Sequence, residues 1–319
     1  MPLSPGIQDF TRNLGSNWGP SVNATCEQFF DSCHASLAQD PGPSIACEKN
    51  VKYGTHERHR LDIYWPPTTI TEQPKRPVVV YFHGGGFKIG DNMITPHLHA
   101  NIGRFFAANG MVGILGTYRL LPEARFPDGI EDIATTLAWI QTHVHRYTGD
   151  RDAVFLLGHS AGGGHLAMAL FSGRLQPYLT LQSHLERGTG PRGVLLMSAA
   201  LAYDLTQEPR RTDMEEYYGT LDHEEIQVRS ALGMFRNLPT VRRGETSLPE
   251  VFVTVAEWDF EECVRGNLKF LEAYAMRTKR LPRFEVLPGH NHVSFCLSIG
   301  LPGDEVGPRI VEWVRQCLE

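Results

Sequence analysis

Two apolar runs in this chain end on glycine-rich turns, and that pairing limits the folds open to it. Val78-Val79-Val80-Tyr81-Phe82 leads into His83-Gly84-Gly85-Gly86, and Ala153-Val154-Phe155-Leu156-Leu157 leads into Gly158-His159-Ser160-Ala161-Gly162. Five apolar residues in a row, with no polar alternation, fit a strand buried on both faces, the usual condition in a parallel sheet. The three consecutive glycines let backbone N–H groups approach a ligand without interference from Cβ atoms, which suits a place where negative charge develops. In the second run a serine stands where a strand gives way through a sharp turn to a helix-competent stretch. That is the local form of a nucleophile elbow.

The rest of the chain repeats the alternation. Leu61-Asp62-Ile63-Tyr64-Trp65 alternates as a half-buried strand and is ended by Pro66-Pro67. The run Met111 to Gly116 is followed by Ile130, Ile133, Leu137, Ile140 and Val144, whose spacing of three and four marks one face of a helix. A helix is expected near Gly164 to Phe171, and strands at Val194 to Met197, Val251 to Val255 and Phe284 to Leu287. Leu268, Leu271 and Tyr274 trace a helical stripe, and Ile310, Val314 and Cys317 trace another. The pattern predicts an α/β fold with a mostly parallel central sheet and helices on both faces. Its 319 residues are read as one domain, 1–319. Residues 1–45, rich in Pro, Gly, Ser and Asn, read as a partly helical arm or cap lying across it. Residues 203–245, crowded with Arg, Glu, Asp and Tyr, follow a strand C-terminus, where open α/β sheets hold ligands, and read as an inserted helical lid.

Charge and cysteine content narrow the partners. The formal net charge is −6 and no basic cluster exceeds Arg210-Arg211 or Arg242-Arg243, which argues against nucleic acid or an anionic membrane surface. No segment is apolar for long enough to span a bilayer. The stretch Met1 to Asn23 lacks the unbroken apolar run of a secretory signal. Cys26, Cys33, Cys47, Cys263, Cys296 and Cys317 show no metal-ligand spacing and fit a cytoplasmic protein with free thiols. The expectation is a small neutral substrate, with neither metal nor cofactor.

A serine hydroxyl becomes a nucleophile when a base removes its proton, and the base must be held in one tautomer by an acid. In folds of this kind the order along the chain is Ser, then Asp or Glu, then His, the last two on loops after late strands. Val251 to Ala256 runs into Glu257-Trp258-Asp259, and Phe284 to Leu287 runs into Gly289-His290-Asn291-His292. Asp259 is taken as the acid, with Glu257 as its alternative, and His292 as the base, with His290 as its alternative. His83 and His159 are read as residues that hold loops.

With these residues in place the chain resembles an α/β-hydrolase of the hormone-sensitive-lipase-like carboxylesterase group, marked by His-Gly-Gly-Gly and Gly-x-Ser-Ala-Gly-Gly. Tyr118-Arg119-Leu120-Leu121-Pro122-Glu123, with Phe126-Pro127 and Asp132, is similar to that group's Tyr-Arg-Leu-Ala-Pro-Glu segment, and Leu61 to Tyr64 is similar to small carboxylesterases and kynurenine formamidases. The likeness runs from about residue 50 to the C-terminus. It implies Ser160 as nucleophile, Asp259 and His292 as its relay, and the N–H groups of Gly85, Gly86 and Ala161 as the oxyanion hole. The chain departs from the group at Phe260-Glu261, where Asp-Pro-Leu is usual, and at Val293-Ser294-Phe295, after the base. Trp258, Phe260 and Phe295 are thereby expected near the substrate, favouring an apolar or aromatic group, and Phe87 is a further candidate for the pocket. The implied activity is cleavage of small carboxylic esters through an acyl-enzyme. The alternatives are an amidase or formamidase, a tailoring hydrolase of lactones, thioesters or acetylated products, and a non-hydrolytic binding protein on the same scaffold.

Overall fold

The computed structural model describes residues 4–37, 44–67, 75–178, 191–239 and 248–319. Its strands are β1 (Ala46–Lys52), β2 (Arg60–Trp65), β3 (Arg76–Phe82), β4 (Val112–Gly116), β5 (Gly149–His159), β6 (Pro191–Met197), β7 (Glu250–Trp258) and β8 (Arg283–Asn291). They form one sheet in the order β1-β2-β4-β3-β5-β6-β7-β8. Strand β2 runs antiparallel to both of its neighbours, and from β4 to β8 every pairing is parallel.

Side-chain alternation divides the core into two layers. Val78, Val80, Phe82, Val154, Leu156, Val194 and Leu196 face one layer, and Val79, Tyr81, Phe155, Leu157, Leu195 and Met197 face the other. The first layer is closed by α4 (Asp128–His143), α5 (Ala161–Phe171) and α9 (Glu261–Thr278), through Ile133, Leu137, Leu166 and Phe270. The second is closed by α3 (Ala100–Ala108), α10 (Ser294–Leu297) and α11 (Val306–Gln316), through Ile102, Phe106, Ile310 and Val314. Each fully buried Val, Leu, Ile or Phe contributes roughly 1.5–3 kcal/mol. An apolar run with residues alternating between two layers is therefore held by both at once, and so the central strands need no polar face.

Between β6 and β7 the chain makes α6 (Arg210–Tyr218), α7 (His223–Arg229) and α8 (Ala231–Arg236). Met214, Tyr217, Ile226, Leu232 and Phe235 of these helices are buried in the first layer. At the N-terminal end lie α1 (Pro5–Leu14) and α2 (Pro20–Leu37), where Ile7, Cys26 and Phe30 pack against Leu98, Leu297 and Leu301. Thr11 donates to the carbonyl of Gly289 at 2.6 Å, and His34 Nε2 bonds the carbonyl of Leu297 at 2.8 Å. The tail of the expected lid, 240–245, and residues 1–3 and 38–43 of the expected arm lie outside the described residues. Among the described residues, no helix is long and apolar enough to cross a membrane.

The helical stripe expected through Leu268 needs correcting, because Leu268 is about half exposed. The buried face of α9 runs through Cys263, Gly266, Asn267, Phe270, Leu271 and Tyr274.

Candidate active site

Register brings the two glycine-rich turns together. Phe82 of β3 pairs with Gly158 of β5, and Gly158 pairs with Leu196 of β6, so the chain leaves β3 and β5 at one edge of the sheet. At the same edge Trp258 of β7 pairs with Asn291 of β8, which starts the Asp259 and His292 loops side by side. Parallel strands emit their following loops at one end, so residues distant in sequence converge there.

Ser160 holds a backbone conformation of φ 50 and ψ −117, costing about 1–3 kcal/mol for a residue other than glycine. Three backbone bonds enforce it: the Ser160 N–H donates to Met197 at 3.0 Å, and its carbonyl accepts from Gly164 and Ala200, each at 2.9 Å. The turn also depends on bare backbone. A Cβ on Gly162 would lie 2.5 Å from the carbonyl oxygen of Phe82 and still nearer that of His83. Helix α5 thus starts in backbone contact with the end of β3. Gly162→Ala is expected to lower stability by roughly 1–3 kcal/mol through this overpacking, read as a shift in the denaturant midpoint. An unmoved midpoint would contradict the close approach.

His292 Nε2 lies 2.9 Å from Ser160 Oγ, and its Nδ1 lies 2.8 Å from Asp259 Oδ1. An ionised carboxylate only accepts, so Nδ1 carries the proton and Nε2 is left to accept the serine hydroxyl proton. Asp259 is buried, and its Oδ1 also accepts from the N–H of Phe260 at 3.0 Å. Its Oδ2 accepts the Ser198 hydroxyl at 2.5 Å and the Ala256 N–H at 3.4 Å. Burial is the largest influence and pushes this carboxyl up, but His292, Ser198 and Cys263 together bring it below its ordinary value. The geometry therefore keeps the acid charged and the imidazole fixed in one tautomer.

The other candidates take different places. Glu257 accepts from the Gly289 N–H at 2.7 Å, a bond between the ends of the neighbouring strands β7 and β8. His290 Nδ1 lies 3.2 Å from the Ser294 hydroxyl, and burial pushes its imidazole down to about 4. His159 Nε2 bonds the backbone carbonyl of His292 at 2.8 Å, which holds the loop of that ring. His83 bonds the Gly84 carbonyl at 2.7 Å, and its own carbonyl accepts the Tyr118 hydroxyl at 2.6 Å. Gly85 and Gly86 adopt φ 125 and 62, so the loop after β3 bends back toward the serine turn. Ala161 opens α5, where the first N–H groups have no acceptor within the helix.

Of the four aromatic residues expected near the substrate, Phe260 stands edge-on to the His292 ring at 4.5 Å. Trp258 instead lines a cleft of about 310 Å³ with Gln8, Arg12, Glu257 and His290, and none of Ser160, Asp259 and His292 borders it. Phe295 is fully buried, edge-on to His159 at 5.2 Å, and offers no surface to a cleft. Phe87 is buried, stacked on Tyr217 at 4.7 Å. Ser198, Cys263 and Trp18 escaped the sequence reading; of these only Ser198 carried a signal, as the first residue past a predicted strand.

Asp259, Cys263 and His292 bring three donor atoms within 4.8 Å of one another. These donors are engaged with each other: Nδ1 binds the carboxylate, as does the Cys263 thiol, which burial and the neighbouring Asp259 push well up. A metal would need the thiolate and the free imidazole nitrogen. The set fits a hydrogen-bonded acid better than a metal centre.

Residues 79–293 match the family model described as alpha/beta hydrolase fold. The chain is 39% identical over 101 residues to Esterase LipI of Mycobacterium tuberculosis, covering 32% of this chain and 30% of the relative. It is 26% identical over 266 residues to Esterase LipC of the same organism, covering 82% of this chain and 62% of the relative. The chain thus spans less than two thirds of the length of either. Among solved structures, esterase B of Lactobacillus rhamnosis superposes with a TM-score of 0.69 at 18% identity, covering 93% of this chain and 94% of that one.

Proposed function

The chain belongs to the α/β-hydrolase fold family, and from that premise we propose that it is a serine hydrolase cleaving small carboxylic esters through an acyl-enzyme. The observation that carries the reading is the unbroken series from Asp259 through His292 to Ser160, at 2.8 and 2.9 Å. Ser160 attacks the ester carbonyl while His292 takes its proton. The oxyanion is met by the N–H groups of Gly85, Gly86 and Ala161, each such donor worth about 3 kcal/mol. His292 then returns the proton to the leaving alcohol, and a water attacks the acyl-enzyme by the same route.

Helices α6 to α8 serve as a lid and α1 to α2 as a cap in this reading, supported by their attachment around the loops of the site. The described thiols are all free, which favours the reducing cytoplasm. Labelling with a fluorophosphonate tests the proposal: an activated Ser160 is expected to react and Ser160→Ala to stay unlabelled. Turnover of acyl esters, aryl formamides and lactones, measured side by side, sorts the hydrolase classes. An unlabelled wild-type protein would sink the reading.

A further inference from the structure

Trp18 lies in Gly15-Ser16-Asn17-Trp18-Gly19, the connection between α1 and α2, bracketed by glycines at φ 57 and 138 that let the chain turn twice. The turn lays its indole on Phe260, ring centroids 4.7 Å apart and planes 24° from parallel. Phe260 in turn stands edge-on to the His292 imidazole at 4.5 Å and 68°. From α6, Arg210 holds Glu262 at 2.9 Å and sets its guanidinium carbon 5.8 Å from the indole centroid. Phe260 thus stands between the imidazole and the indole, and Arg210 of α6 lies over the indole. Yet the indole residue stays 49% exposed, while Tyr64, Tyr118, Phe87 and Phe155 are buried. A large aromatic surface is held firmly and left half open.

The chemistry states which part of a substrate would lie there. His292 hands its proton to the departing alcohol, so the alcohol oxygen must come within hydrogen-bond reach of Nε2. Of the described rings beside the imidazole, His159 is buried and Phe260 only partly so, which leaves Phe260, with Trp18 stacked on it, as the surface an alcohol portion can meet. We infer that Phe260 and Trp18 form an aromatic wall for the leaving group, selecting esters whose alcohol part is a flat aromatic ring. The inference rests on the hydrolase reading of this same site.

Ethyl, phenyl and 2-naphthyl acetates share an acyl group and vary the alcohol, and comparing each variant with the wild type cancels the intrinsic reactivity of the leaving group. For Trp18→Ala, kcat/KM on the two aryl esters is expected to fall about 3- to 10-fold and on ethyl acetate by less than about 2-fold, the range of one aromatic pair. Trp18→Phe should keep most of the aryl preference. The alcohol has left before deacylation, so hydrolysis of the acetyl-enzyme should proceed at the wild-type rate in both variants. Equal losses on all three esters, or slowed deacylation, would show that Trp18 braces the His292 loop and would overturn the wall. Unchanged selectivity would overturn it equally, with Ser160 still labelled and the hydrolase reading intact. A wild-type protein that resists the fluorophosphonate fails at the earlier step.

Discussion

Ser160→Ala is expected to cut ester hydrolysis by about 10⁵- to 10⁶-fold while leaving the fold in place. The loss is large because, on the hydrolase reading, the Ser160 hydroxyl is the nucleophile whose proton His292 takes, at 2.9 Å. The residue is also the N-cap of α5 without a side-chain capping bond, so losing the hydroxyl removes no helix contact. Steady-state assays on a short-chain ester and a denaturation curve check both halves. A variant that keeps more than about a hundredth of wild-type kcat/KM would put the nucleophile elsewhere, because oxyanion donors and binding alone leave far less. A variant that fails to fold would contradict the local account of the elbow.

Lowering the pH from 7 to 5 is expected to lower the folding free energy markedly. Five histidines no more than 6% exposed carry most of the effect, and His59 and His34, also lowered by desolvation, add to it. Desolvation is the main cause in each, pushing His99, His165 and His290 down to about 4, His159 to about 3 and His83 well below its ordinary value. Among the described residues His83 Nε2 and His165 Nε2 are buried without a hydrogen-bond partner, so a proton added at either position would meet no acceptor there. The folded values lie below the unfolded value of 6.5, so the unfolded chain takes up protons first. Stability is complete above about 6.5 and is lost as the pH falls toward the folded values. Each such group lowers stability as the pH falls below about 6.5, and the sum is a substantial part of the roughly 5–15 kcal/mol of a typical domain. Glu27, Asp62, Glu262 and Asp304, whose carboxyls burial raises, take up protons sooner in the folded state and offset part of the loss. Near-UV circular dichroism and urea midpoints at half-unit steps between pH 7 and 4 would follow it. A midpoint that does not move between pH 7 and 5 would refute the sum.

Strands β3, β5 and β7 were legible because each is an apolar run buried on two faces and ended by chemically distinctive residues, whereas β8, at the sheet edge with Val286 half exposed, was legible from the short run Phe284 to Leu287 before its Gly-His turn. Strand β1 was not: Cys47-Glu48-Lys49-Asn50 is charged because the strand lies at the sheet edge with its outer side in solvent. Helix α3 was hidden by Gly103, a poor helix residue kept because a Cβ there would strike the Tyr64 ring. The phase of α9 was misread because its buried face includes Asn267, whose side chain donates to the carbonyls of Ala199 and Cys263 at 2.9 Å. An apolar count cannot register a polar residue satisfied in this way. Asp259 and His292 were readable from strand order. Trp18 was not, and Ser198 was marked only by its place after a predicted strand, because their contacts with Phe260 and Asp259 join segments whose spacing in the chain carries no pattern. Phe295 and Trp258 show the converse: adjacency in sequence to His292 and Asp259 does not set the direction of a side chain.

Helices α1 and α2 grip the segment around His292 at two points, Gly289 and Leu297, on either side of the imidazole. If His292 is the base, heat that frays these helices is expected to free it while the parallel ladder is still intact, so that inactivation runs ahead of melting and the periphery sets the working temperature.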